Sequence, residues 1–274
     1  MANRNFTTLL LGDIYGDPGC RVLYLKLQGL IKKYRADFVI ANGENAYKGF
    51  GIAPGQMDLL FGLGVDVITS GNHIWQQEDI LPYLDSTACL LRPANYGNLV
   101  SGHGFVVKGS GSATSTISTF SGYGAGAVCV INLQGRMNMV PIEDPFKWAN
   151  DILKRIDSRI KTIFVDFHAE NSDEKEAMGF FLDGRVTGVV GTHIHVQTMD
   201  EKILPHGTAY ITDLGMCGPQ GSVIGSDPEL SLRRQKTQMP IKAQVLDASA
   251  KINGVCIQSD IDSGRAISIE RICE

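Results

Sequence analysis

Five short apolar runs, at 7–12, 38–41, 65–69, 162–167 and 186–190, constrain this chain more than any other feature, each being closed by glycine, asparagine or aspartate. Runs this short and this continuously apolar are the pattern of strands buried on both faces, since a strand with one wet face would alternate with polar residues. Between them lie stretches that read as helices: 17–34, opened by Asp17-Pro18 as N-cap and first-turn proline, then 54–62, 76–84, 146–156 and 174–182. Strands alternating with helices predict a layered α/β architecture. The segment 108–126 is rich in glycine, serine and threonine. It reads as a hairpin with a loose tip rather than an interdomain linker, because 114–120 alternates β-branched residues and 128–133 has a strand pattern. The stretch 241–272, punctuated by Asp247-Ala248-Ser249, Asn253-Gly254 and Asp262-Ser263-Gly264, predicts an antiparallel meander.

Bulk properties exclude some classes of function. A net charge of −4 and a pI near 5.9 argue against strong non-specific nucleic-acid binding. No apolar run approaches the roughly 18–20 residues that span a bilayer. The start, Met1-Ala2-Asn3-Arg4-Asn5-Phe6, lacks the features of a secretory signal, so a cytoplasmic location without membrane attachment is expected. The six cysteines are scattered and are expected as reduced thiols.

Chemistry is concentrated where the apolar runs stop. The first run ends in Gly12-Asp13 and the second leads into Asn42-Gly43-Glu44-Asn45. The third leads into Gly71-Asn72-His73, the fourth into Asp166-Phe167-His168 and the fifth into His193-Ile194-His195. Ligands of α/β sheets bind beyond the carboxyl ends of the strands, and this edge would carry carboxylates, amides and imidazoles together. If residues 193–195 are extended, the two rings point the same way and share one locus. Taken singly, Asp13 suits a cap, Asn45 and Asn72 suit turns, and His168 suits a structural hydrogen bond; jointly they predict a metal centre. His103 and His206, in apparent loops, are read as structural. Trp75 and Tyr47 are candidates for stacking on a base or for packing.

In order along residues 12–219, these segments resemble the motif series of calcineurin-like metallophosphoesterases, and more closely the YmdB branch of bacterial phosphodiesterases. The resemblance rests on Gly12-Asp13-Ile14-Tyr15-Gly16, Asn42-Gly43-Glu44-Asn45, Thr69-Ser70-Gly71-Asn72-His73-Ile74-Trp75, Asp166-Phe167-His168-Ala169-Glu170, Gly191-Thr192-His193-Ile194-His195-Val196-Gln197-Thr198 and Thr212-Asp213-Leu214-Gly215-Met216-Cys217-Gly218-Pro219. Tyr15 stands where the wider superfamily has histidine, and Glu44 where it has a bridging aspartate; both departures are shared by the branch. Ile74 follows His73 where the branch often has threonine, a difference expected to affect packing.

The resemblance implies a single domain over 1–274, a four-layer sandwich of two mixed β-sheets flanked by helices. It implies two metal ions, iron (Fe2+/Fe3+) or alternatively Mn2+. One would be held by Asp13, Glu44, Asn45 and His195, the other by Glu44, Asn72, His168 and His193, with Glu44 bridging. Mixed oxygen and nitrogen donors without thiolate fit those metals. The implied activity is hydrolysis of phosphodiesters, with cyclic nucleotides (2',3'-cyclic or 3',5'-cyclic) as substrates. A metal-bridging hydroxide would attack, and His73 would act as general acid or as a donor to the charge developing on phosphate. The resemblance also suggests self-association into a homo-oligomer. Rival expectations are a phosphomonoesterase on the same centre and a metal-stabilised regulatory or RNA-associated module with little turnover. Dinucleotide binding at 12–19 is disfavoured, because the glycine spacing is wrong and Asp13 would face a pyrophosphate.

Overall fold

A computed structural model describes residues 5–97, 99–109, 114–115 and 126–274. The chain begins with β1 (Asn5–Leu11), β2 (Asp13–Ile14), α1 (Gly16–Tyr34), β3 (Phe38–Asn42), α2 (Pro54–Gly62), β4 (Val67–Thr69) and α3 (Leu81–Ser86). It continues through β5 (Phe105–Lys108), β6 (Thr114–Ser115), β7 (Val128–Gln134), α4 (Pro145–Leu153), β8 (Thr162–His168), α5 (Ser172–Leu182) and β9 (Gly188–Thr192). The last elements are β10 (Lys202–Ile203), β11 (Ala209–Ile211), β12 (Met216–Pro219), α6 (Pro228–Thr237), β13 (Ala250–Lys251), β14 (Asn253–Asp260) and β15 (Ala266–Cys273).

Two mixed sheets form the centre. One runs β15-β14-β1-β3-β4 and the other β10-β11-β9-β8-β7-β5-β6; a small third sheet, β13-β12-β2, flanks them. The parallel pairs are β1/β3 and β3/β4 in the first sheet and β7/β8, β8/β9 and β9/β11 in the second. Strand alternation makes three apolar layers from these runs. Leu10, Phe38 and Ile40 of the first sheet meet Val128, Val130, Phe164 and Val190 of the second in the central layer. Their neighbours Leu9, Leu11, Val39 and Ala41 face the other way, against Leu23 and Leu27 of α1 and Leu60 of α2. On the far side Val165 and Phe167 pack with Ile152 of α4 and with Met178 and Leu182 of α5. The order helix, sheet, sheet, helix is the expected four-layer arrangement, and every central strand is buried on both faces, which is why its sequence shows no alternation.

Local details depart from the sequence reading. Helix α1 starts at Gly16 with Tyr15 as its N-cap residue, and Asp17 lies in the first turn instead of capping it; a carboxylate there still faces the positive end of the helix dipole. The helix expected at 76–84 is a 3₁₀ turn, Glu78–Ile80, followed by α3. Pro82 is tolerated in a first helical turn and not in an interior, so the α-helix begins late. Within 108–126, Thr114-Ser115 pairs antiparallel with β5 and not with β7, and residues 116–125 lie outside the described ones. The expected meander holds from Asn253, where β14 pairs antiparallel with β15 and β1, whereas 241–249 carries only an isolated bridge at Val245. Helix α6 lies outside the expected helices, although Asp227-Pro228 carries the same cap-and-proline signal; Asp227 accepts from Leu230 N at 2.9 Å. No helix among the described residues is long and apolar enough to cross a membrane.

Where β9 approaches the segment before β12, Leu214 N donates to Gly191 O at 2.8 Å, and a Cβ on Gly191 would lie 1.8 Å from Thr212 O. The obstacle is backbone, which cannot rotate aside. Gly191→Ala is therefore expected to destabilise the fold by at least the upper end of the about 1–3 kcal/mol typical of overpacking. Urea unfolding measures it, and a midpoint equal to that of the wild type would refute the close approach.

Candidate metal centre

The carboxyl ends of β1, β3, β4, β8 and β9 converge, and the side chains just beyond them occupy one largely buried volume. Asp13, Glu44 and His168 are fully buried. Glu44 Oε2 accepts from Gly71 N (2.5 Å) and Oε1 from His73 N (2.6 Å), so the carboxylate clamps the β4 loop; Oε1 also lies 3.5 Å from His168 Nε2. Asp13 Oδ2 accepts from His193 N at 3.1 Å, while its Oδ1 lies 3.8 Å from His195 Nε2. Asn45 spans two rings: Nδ2 is 3.1 Å from His195 Nε2 and Oδ1 is 2.8 Å from His73 Nδ1. The seven residues expected as ligands, and His73, thus fall at the same strand ends. His103 and His206 lie elsewhere, on Asp85 O and on Asp183 Oδ2 respectively.

His193 and His195 reach this locus differently from the expected strand alternation. β9 ends at Thr192, and the two histidines have φ of +103° and +65°. Such angles are strained for residues with a Cβ and persist only where the surroundings impose them. Asp13 holds His193 N, and Asp213 Oδ2 holds Ile194 N at 3.3 Å. Asp213 is itself fully buried, takes Gly215 N at 2.8 Å and pairs with the buried ammonium of Lys175 at 2.7 Å. Tyr15, bonded to Ser226 Oγ at 3.0 Å, sets its ring edge-on to His195.

Hydrogen bonds on the far side of the rings decide which nitrogens are bare. His195 Nδ1 faces Ile224 O at 3.0 Å; a carbonyl only accepts, so Nδ1 carries the proton and Nε2 the lone pair. Thr192 Oγ1 donates to Asp166 Oδ1 (2.7 Å) and therefore accepts from His168 Nδ1 (3.0 Å), leaving His168 Nε2 bare. Asp166 is fixed in turn by the Thr69 hydroxyl and by Asn42 Nδ2 at 3.0 Å. His193 Nε2 lies 3.0 Å from Glu170 Oε2; an ionised Glu170 accepts there and leaves His193 Nδ1 bare. That nitrogen is 3.0 Å from the bare Nε2 of His168.

Two lone pairs facing each other at this distance repel unless something positive lies between them. Two buried oxygens, Asp13 Oδ1 and Asn72 Oδ1, have no hydrogen-bond partner. Burial pushes the Asp13 carboxyl up to about 7 and Asp166 up to about 6, and raises Glu44 and Asp213 as well. Burial and neighbouring imidazoles hold His73 and His193 down to about 4 and His168 well below its ordinary value. Neutral imidazoles, crowded carboxylates and orphaned oxygens are the surroundings that a cation stabilises. As the side chains stand, no group of three or more His, Cys, Asp and Glu among the described residues is arranged to hold an ion. The fit rests on the bare nitrogen pair and the unpartnered oxygens, not on a finished cage.

Sequence alone assigns no roles to Glu170, Asp166, Thr192 and Lys175, although all but Lys175 stand inside the quoted motifs; motif adjacency is their one readable signal. Trp75 packs edge-on against Tyr96, and Tyr47 carries the Lys48 ammonium over its ring. Phe50, which the sequence pattern does not single out, places its ring 4.0 Å from that of His73.

The family model described as YmdB-like protein matches residues 9–272. A 2',3'-cyclic-nucleotide 2'-phosphodiesterase of Bacillus subtilis (strain 168) is 40% identical over 265 residues, covering 96% of this chain and 95% of that protein. A solved structure of a phosphatase from Mycoplasma pneumoniae superposes with a TM-score of 0.89 at 34% identity, covering 99% of this chain and 94% of that one. Another, of a protein from Thermus thermophilus, gives a TM-score of 0.86 at 33% identity, covering 98% and 99%.

The Lys175–Asp213 pair can be tested alone. Removing one member of a buried pair strands the other, which typically costs about 3–5 kcal/mol. Lys175→Met is expected to lose that much stability in urea unfolding, and adding Asp213→Asn to restore part of it. Strictly additive losses would show that the two side chains are not coupled.

Proposed function

Because the chain belongs to the YmdB-like protein family and is a hydrolase of phosphoesters, we propose that it is a two-metal phosphodiesterase acting on cyclic nucleotides, with 2',3'-cyclic species as the leading choice. The bare nitrogens of His168 and His193, 3.0 Å apart, carry the metal part of this reading. The name of the Bacillus subtilis relative supports the substrate class. The proposed ligands are Asp13, Glu44, Asn45 and His195 for one ion and Glu44, Asn72, His168 and His193 for the other, with iron favoured over manganese. Bound there, two divalent cations would supply positive charge for an anionic ester and would favour deprotonation of water.

The chain's own residues do the positioning. Ile224 O, Thr192 Oγ1 and Glu170 hold three imidazoles with their lone pairs turned inward, as accessory acceptors do in metal sites. Asn45 lies between His195 and His73, so it links the proposed ligands to the proposed acid. If its amide oxygen were taken by an ion, its Nδ2 would be left to face His73 Nδ1, and a neutral His73 would then carry its proton on Nε2. From there it could donate to the departing alkoxide or to charge developing on phosphate. A monoesterase reading is favoured by one observation: the Mycoplasma pneumoniae relative of solved structure is described as a phosphatase. Comparing para-nitrophenyl phosphate with its bis-ester and with 2',3'-cyclic nucleotides separates the two.

His73→Ala is expected to lower turnover by about 10²–10⁴-fold, the usual contribution of a positioned acid, while elemental analysis finds wild-type metal content. Equal loss of metal would instead place His73 among the ligands. Glu44→Gln is expected to empty both sites in the same assay, and full occupancy would contradict a bridging carboxylate.

A further inference from the structure

Phe50 is an aromatic side chain that neither the core nor the proposed ligand set uses. It is 46% exposed, and its ring lies 4.0 Å from that of His73 at an interplanar angle of 40°. An isolated exposed phenylalanine would mean little. This one sits in a loop whose backbone is shaped to present it. Lys48, Gly49 and Gly51 have φ of +51°, +79° and +83°, a sequence of left-handed residues that folds the chain back on itself. Gly51 N donates to Glu44 O and Tyr47 N to Gly51 O, each at 2.8 Å, which ties the loop to the residue proposed to bridge the ions. Gln77 Nε2 donates to Phe50 O at 2.6 Å and fixes it from the opposite side. A Cβ on Gly51 would come within 3.0 Å of His73 O, so the loop presses directly on the His73 segment. Trp75, the other aromatic beside His73 in sequence, is committed to Tyr96.

A nucleotide ester carries its base within one ribose of the scissile phosphate, and every base has a flat π-face that stacks on an aromatic ring without regard to sequence. We propose that Phe50 is the platform on which the substrate's base stacks, setting the enzyme's preference for nucleoside over base-free phosphodiesters. This rests on the phosphodiesterase reading above. Stacking orients the ester so that its leaving oxygen falls beside His73, and it discriminates weakly among bases because the ring offers no hydrogen bond.

The test is steady-state hydrolysis, by the metal-loaded protein, of adenosine 2',3'-cyclic phosphate and of ribose 2',3'-cyclic phosphate, which has no base. In Phe50→Ala, kcat/KM for the nucleotide is expected to fall roughly 5- to 100-fold further than that for the base-free ester, the range that base–aromatic stacking supports. Most of the difference should lie in KM. Phe50→Leu, which keeps bulk against His73 but no π-face, should behave like Phe50→Ala, whereas Phe50→Trp should keep the wild-type ratio. Equal losses on both substrates, or a ratio unchanged in all three variants, would overturn the inference while leaving the phosphodiesterase reading in place. A wild-type protein that hydrolyses neither ester would overturn both.

Discussion

Asp13, Glu44, Asp166 and Asp213 lie at or below 3% exposure around one locus, and among the described residues the one buried lysine or arginine paired with this set is Lys175, on Asp213. Four carboxylates beside one ammonium, away from water, make a strongly unfavourable set of charges unless protons or cations are supplied. The fold reduces the problem with hydrogen bonds. Asp166 takes three side-chain donors, Glu44 takes two backbone N–H groups, and Asp213 takes two backbone N–H groups and Lys175. Asp13 Oδ1 keeps no donor at all. The deficit is therefore localised at one edge and not spread through the core. The two sheets concentrate negative charge where their strands end, and the chemistry of the site follows from that.

The same hydrogen bonds give the site its directionality. An imidazole can turn either nitrogen toward a neighbour, and the choice is made by what it meets on its other side. Asp166 is the clearest case. It accepts from Thr192, Thr192 thereby accepts from His168, and His168 is left with its lone pair toward Glu44 and His193. A carboxylate that never reaches the proposed ions thus sets the orientation of a residue that would. Its buried partners Thr69 and Asn42 come from β4 and β3 of the other sheet, so this network also fixes how the two sheets are placed at the site.

Much of this was legible in the sequence, for a physical reason. Strands buried on both faces take few polar residues, and only hydrogen-bonded ones, so the point where the apolar run stops usually marks the end of the strand and the edge of the site. Gly12-Asp13, Asn42 to Asn45, Gly71 to His73 and His168 could be read that way, and the structure gathers them. Position alone could not tell ligand from support. Asp166 lies within an apolar strand, and Lys175 lies in α5, where nothing in the pattern distinguishes a buried ammonium from a solvated one. Asp17-Pro18 fits a cap and a first turn equally well, so residue types alone do not place the start of α1. Phe50 stayed invisible because its surroundings arise from left-handed backbone at Lys48, Gly49 and Gly51, which residue types only permit and do not dictate.

The His193–His195 turn connects backbone strain to the proposed mechanism. Alternation along an extended strand would also have placed both rings on one side, but with ordinary backbone and no need of support. The observed turn holds two residues with positive φ and stays in place because Asp13 and Asp213 bind consecutive backbone N–H groups within it. Backbone strain of this kind persists where surrounding structure over-determines it. In return, the two rings separate: His193 faces His168 and Glu170, while His195 faces Asn45 and Asp13. An extended His-Ile-His segment would direct both imidazoles to a single locus. The strained one turns them toward different partners, as the proposed pair of ions sharing Glu44 would need.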